Sequence, residues 1–148
     1  MDEGLLQLAE SVEDGAPAPP MKIFTACFHL TGTPVQSEVW LRAYEDALKQ
    51  ASLAARNPRR SDRDRGREDV LAEVDRRMPI VRAATEARGL CFVDPHVLVF
   101  ADETTYRLPV MRVPIDAVDG WAIGDEQVIA KPGGGFFVGG GVGLPLGG

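Results

Sequence analysis

Two residues of the chain have the types and spacing that could do chemistry. Cys27 and His29 lie two apart in a run that reads as a strand, so the sequence predicts that they share a face. A thiolate and an imidazole are both good ligands for zinc or another soft metal. Cys91, Asp94 and His96 would complete a tetrahedral set only if their strands pair suitably. Four ligands at zinc-finger spacing are absent from the sequence. A thiol activated by a neighbouring imidazole could also attack a carbonyl, but no local motif supports that use. A half-buried thiol beside a surface imidazole explains the pair without either chemistry and is the preferred reading. Cys27, His29 and His96 are therefore only candidates for a metal- or thiol-dependent enzyme. No catalytic residue and no cofactor is assigned. Asp116 and Asp119 flank a turn before Trp121, and turn chemistry accounts for them.

The second unusual feature is residues 132–148, PGGGFFVGGGVGLPLGG, glycine-rich and uncharged. It is not a phosphate loop, because the lysine and hydroxyl that should follow the second glycine are missing. Dense glycine raises the entropic cost of any fixed structure. Phe136, Phe137, Val138, Val142, Leu144 and Leu146 make the segment too apolar for a plain linker. It therefore needs a partner surface: an edge of its own sheet, another protein, or a membrane interface. Alternatively its last residues, Gly147 and Gly148, are a chemical handle.

The elements that must position these features follow from periodicity. Residues 2–14 allow a short amphipathic helix, and the proline-rich 15–20 reads as a stiff linker, which makes the helix an appendage. Met21–Leu30 reads as one strand, with Phe24, Ala26, Phe28 and Leu30 on its core face. Thr33 as N-cap, Pro34 at the first helical position and Gln36 as capping-box partner predict a helix over 34–55. Trp40 and Tyr44, one turn apart on it, read as core. Residues 56–68 read as a polar loop. A helix over 67–87 carries Val70, Leu71, Val74, Met78 and Val81, is kinked or restarted by Pro79, and stops at Gly89. Leu90–Asp94, His96–Ala101, Tyr106–Val113 and Gly120–Lys131 then read as an antiparallel meander. Pro109 and Pro114 confine their strand to an edge or bulge. The expected class is α+β, with two main helices on one face of a mostly antiparallel sheet and an appended N-terminal helix. Residues 1–20 form the helix and linker, 21–131 a single domain, and 132–148 the tail.

Bulk properties exclude several functions. The chain of 148 residues is one domain's length, 45% hydrophobic and 26% charged. Its net charge of -6 gives no global attraction to nucleic acid or anionic lipid. Arg56, Arg59, Arg60, Arg63, Arg65 and Arg67 cluster, but Asp62, Asp64 and Glu68 sit among them. Those carboxylates would compete with phosphate for the guanidinium groups, so a solvated connector is expected there. Two cysteines are too few for a disulfide scaffold. No basic region precedes an apolar stretch at the N-terminus, and no run approaches the roughly 20 apolar residues of a spanning helix. A cytoplasmic location is expected. Arginine in place of lysine, with abundant alanine, points to a GC-rich bacterial genome.

Residues Asp94–Phe100 and Arg112–Trp121 resemble the strand-turn-strand grammar of bacterial PH-like (GRAM-type) domains. That resemblance implies a binding or adaptor module, often near a membrane, without catalysis. Those domains lead with strands and close with a helix, whereas here helices come first. The run Leu144-Pro145-Leu146-Gly147-Gly148 is similar to the ends of ubiquitin-like proteins and sulfur carriers, whose terminal glycine carboxylate is adenylated by an activating enzyme.

Three expectations follow. The first is a non-enzymatic binding or adaptor protein whose tail and adjacent sheet edge meet another protein, with Phe136, Phe137, Leu144 and Leu146 as contacts. The second is a carrier activated at Gly148. The third is the metal- or thiol-dependent enzyme built on Cys27, His29 and His96.

Overall fold

The computed structural model describes residues 2–55 and 63–124. Three helices, α1 (Glu3–Glu13), α2 (Ser37–Ala55) and α3 (Arg63–Ala84), accompany eight strands: β1 (Met21–Phe24), β2 (Phe28–Gly32), β3 (Pro34–Val35), β4 (Gly89–Val93), β5 (His96–Val99), β6 (Thr104–Arg107), β7 (Val110–Pro114) and β8 (Gly120–Ile123). The class is α+β, as composition and periodicity indicate. Every strand pairing is antiparallel. The strands form a five-stranded sheet, ordered β6-β5-β2-β1-β8, and a three-stranded sheet, ordered β3-β4-β7.

The two sheets are joined by ribbons that bend from one into the other. β4 runs into β5 across Asp94-Pro95, and β6 runs into β7 across Leu108-Pro109. The Asp94 N–H donates to the Pro109 carbonyl at 2.8 Å and the Leu108 N–H to the Pro95 carbonyl at 3.1 Å, so pairing continues through the corner. Strands that switch sheets need such a bend. Asp94 takes it in the left-handed region, φ 59°, which aspartate tolerates better than most residues. The expected single strand Tyr106–Val113 is thus two strands, split where Pro109 cannot donate. The expected meander is this bent ribbon. Pro114 does lie on an edge strand, β7.

The run Met21–Leu30 is a hairpin rather than one strand, because Thr25 turns the chain. Its hydroxyl accepts from the N–H groups of Cys27 (3.2 Å) and Phe28 (3.1 Å) and donates to the Phe28 carbonyl (3.0 Å). The turn reverses the pattern of faces. Met21, Ile23 and Leu30 are fully buried, while Phe24 and Phe28 are only partly so. The core face expected over Phe24, Ala26, Phe28 and Leu30 is correct only for Leu30 and in part for Phe28.

The main core lies between the inner face of the five-stranded sheet and Leu90, Phe92 and Val113 of the smaller sheet. Helix α1 is anchored in it: Leu5 is 0% exposed and Ala9 belongs to the same cluster. The N-terminal helix is therefore where the sequence puts it, yet it is core rather than appendage. The opposite face of the smaller sheet packs Cys91 and Val110 against Trp40 and Leu41 of α2 and Met78 and Val81 of α3. Trp40 is core as expected, with the Tyr44 ring 5.2 Å away.

Helix boundaries shift for physical reasons. Pro34 and Val35 pair with Phe92 and Cys91, so α2 begins at Ser37, without the Thr33 cap. Residues 63–68 belong to α3 and not to a loop; 56–62 lie outside the described residues. Helix α3 continues through Pro79, whose exposed position leaves the freed carbonyl of the preceding turn toward water. It ends at Ala84, before Gly89. Gly89 starts β4 instead, where a Cβ would sit 2.7 Å from the Arg112 guanidinium carbon. No described helix is long and apolar enough to cross a membrane.

Candidate functional site

Residues directly opposite one another in an antiparallel pair share a face. Two cross-strand rows follow from the register of the five-stranded sheet. Gly120, Phe24, His29, Leu98 and Thr105 form one row on its outer face. Ala122, Lys22, Thr31, His96 and Arg107 form the next row on that same face. Their sequence neighbours Ile23, Leu30 and Val97 point the other way, into the core. None of the outer-row residues belongs to either core cluster.

The first row is aromatic. The His29 ring meets the Phe24 ring edge-on at 4.7 Å and the Phe100 ring edge-on at 4.7 Å. Phe100 follows β5, is 38% exposed, and is held near the hairpin turn by its N–H to the Cys27 carbonyl at 3.1 Å. Phe24, His29 and Leu98 are half-buried. The second row is polar: Lys22, Thr31, His96 and Arg107, the last forked onto the Asp94 carboxylate, with Nε to Oδ1 at 2.7 Å. That guanidinium holds the Asp94 carboxyl below its ordinary value. The outer face is thus an apolar, aromatic strip beside a polar row that carries Lys22, His96 and the Asp94-paired Arg107.

The residues singled out in the sequence are dispersed over this face. Cys27 is exposed in the hairpin turn, while His29 lies on β2 with its ring between two phenylalanines. The expectation that both sit on one strand face fails because Thr25 turns the chain. His96 lies on the neighbouring row, diagonal to His29. Among the described residues no group of three or more His, Cys, Asp or Glu side chains could hold a metal. Cys91 is 3% exposed, and burial pushes its thiol up despite the opposing pull of Arg112 and a hydrogen bond with Ser37. A neutral, enclosed thiol is a poor nucleophile. Phe136, Phe137, Leu144, Leu146, Gly147 and Gly148 lie outside the described residues.

A concavity of about 410 Å³ opens between the end of α1, the start of α2 and the turn before β4. Glu10, Glu13, Ser37, Glu86 and Arg88 line it. Glu13 and Ser37 are spent on each other: Glu13 Oε1 accepts from the Ser37 N–H and hydroxyl. That arrangement joins two helices and leaves no nucleophile with a free base.

Alternation along Met21–Leu30 puts Phe24 on the core face, which hides the aromatic strip from the sequence. The signal was Thr25: a hydroxyl residue after an alternating run can turn the chain. Ile23 and Met21 then take the core. Comparison with family models, with curated proteins and with solved structures finds no match to this chain.

Proposed function

We propose that this protein is a non-enzymatic binding or adaptor module whose ligand is a segment of another protein. The outer face of the five-stranded sheet and its β8 edge form the binding surface, with the glycine-rich segment that follows β8. The observation that carries this reading is the Phe24–His29–Leu98–Phe100 strip, which is apolar, contiguous and outside both cores. Contiguous apolar strips rimmed by polar groups mark interaction sites. Aromatic rings are the side chains that most often anchor such contacts. Among the described residues β8 is an edge strand, and the backbone of a sheet edge can accept an added strand.

The test is substitution of the strip without disturbing the core. Phe24→Asp with Phe100→Asp should abolish capture of the cellular partner while the melting curve keeps its shape. Glu45→Lys, on the far helix α2, should leave capture unchanged. A strip variant that retains every partner would overturn the reading.

A further inference from the structure

We propose that His29 is a proton-operated switch on the outer face. Neutral, it completes the apolar strip; protonated, it sets a charge in the middle of it. Its consequence for ligand binding rests on the strip reading above, whereas the switch itself belongs to the ring cluster and needs no partner.

His29 stands at the centre of the strip. It pairs with Phe24 of β1 on one side and with Leu98 of β5 on the other. Its ring is perpendicular to the Phe24 and Phe100 rings, 4.7 Å from each. It is half-buried, so water still reaches it and a proton can exchange without the fold opening. It belongs to neither core cluster, so a charge there is not a charge in the interior. Imidazole is the side chain whose ordinary titration falls between about pH 5 and pH 8, and the chain has two, His29 and His96.

Among the described residues no hydrogen bond or ion pair reaches the His29 ring; its contacts are the two phenyl rings. The rest of its row, Gly120, Phe24, Leu98 and Thr105, carries no charge. Lys22 of β1 and His96 of β5 stand in the next row, and neither can neutralise an imidazolium. Arg107 of β6 is spent on Asp94. In the turn beyond β5, Asp102 is spent on the Tyr106 hydroxyl and the Thr104 N–H, and Glu103 is exposed. Cys27 and Asp119, which lie in the hairpin turn and before β8, are exposed as well.

An apolar ligand laid over His29 excludes water from the ring. A charge left unpaired under such a cover costs free energy. Ligand and proton therefore compete for the same ring. The complex binds one proton fewer than the free protein, so affinity rises with pH and falls by up to ~10-fold per pH unit on the acid side. The fold is spared, because Met21, Ile23 and Leu30 hold the core on the other side of the sheet.

Nile red, an uncharged apolar dye, probes the strip directly on the full chain. It should bind about fivefold or more weakly at pH 5.5 than at pH 8, with the far-ultraviolet circular dichroism unchanged. His29→Phe, which keeps a ring but cannot titrate, should bind equally at both pH values. His96→Gln should keep the wild-type dependence, and Phe24→Asp with Phe100→Asp should remove the binding. Affinity indifferent to pH in the wild type would overturn the proposal. So would a pH dependence that survives His29→Phe, or dye binding untouched by the strip substitutions. A label-free titration gives a second reading. The ring protons of Phe24 and Phe100 should shift together with those of His29, and unmoved phenyl signals would equally sink it. Neither measurement uses the cellular partner. Capture by a strip whose affinity ignores pH would end the switch and leave the proposed function standing.

Discussion

Glu13, the last residue of α1, accepts through Oε1 from both the backbone N–H (2.6 Å) and the hydroxyl (2.7 Å) of Ser37, the first residue of α2. The carboxylate occupies the positive end of α2, where orphan N–H groups and the helix dipole favour an anion. Gln36 adds a hydrogen bond from Nε2 to the Glu13 carbonyl at 3.1 Å. A residue 24 positions away thus replaces the local cap. Glu13→Ala should cost about 1 kcal/mol, the usual scale of a lost cap. Glu13→Gln should cost less, because its amide oxygen can still accept. Urea midpoints at unchanged slope measure both. Equal losses in the two variants would show that the contact is not a cap.

Leu5 offers a direct test of where α1 belongs. It is 0% exposed, and it packs in the cluster that holds Met21, Ile23, Leu30 and Phe92. Leu5→Ala should therefore cost about 2–5 kcal/mol, the range for truncating a core leucine. An appended helix would lose under about 0.5 kcal/mol, the scale of a surface substitution. Equilibrium unfolding monitored through the sheet, rather than through helix signal alone, separates these outcomes.

The local signals in this chain were legible where one interaction range decides. Helical spacing places Trp40, Val70 and Val74 correctly, and Pro114 correctly marks an edge. The errors fall where a distant contact overrides a local rule. Thr33-Pro34 is a sound start signal, but Pro34 and Val35 are taken by β4, and Glu13 supplies the cap. Gly89 follows a helix, yet it opens β4, where Arg112 passes across it and donates to the Ala87 carbonyl. The outer face was hidden for a similar reason. Phenylalanine outranks methionine and isoleucine as a guess for the core, and only the Thr25 turn shows which side of β1 faces inward.

The two cysteines should differ sharply in reactivity. Cys27 is exposed in the β1–β2 turn, whereas Cys91 is enclosed between Ser37 and Arg112 with its thiol held up by burial. Thiolate is the reactive form, and access limits its attack on a disulfide or maleimide reagent. One equivalent should react quickly in the native protein. The second should react only at the rate of unfolding and become fast in denaturant. Cys27→Ser should remove the quick phase alone. Two quick equivalents at neutral pH would mean that the layer between α2 and the smaller sheet opens readily.

Asp2 predicts how the N-terminal helix responds to acid. Its Oδ1 accepts from the Leu5 N–H at 2.9 Å, and its Oδ2 accepts from the Trp121 indole Nε1 at 3.1 Å. The Leu5 bond first, and the Trp121 bond second, hold the carboxyl below its ordinary value of 3.8. A carboxyl depressed by folding binds fewer protons in the folded state than in the unfolded one. Its contribution to stability is therefore complete above the unfolded value, about 3.9, and is lost as pH falls through the lower folded value. Asn at position 2 still caps the helix but cannot titrate. Asp2→Asn should flatten the acid side of the stability profile between about pH 5 and pH 2. The Trp121 indole N–H resonance gives an independent reading. It should titrate with a midpoint below 3.8 in the wild type and stay still in Asp2→Asn. A midpoint at or above that value, or a titration that survives the substitution, would show that Asp2 does not tie α1 to β8.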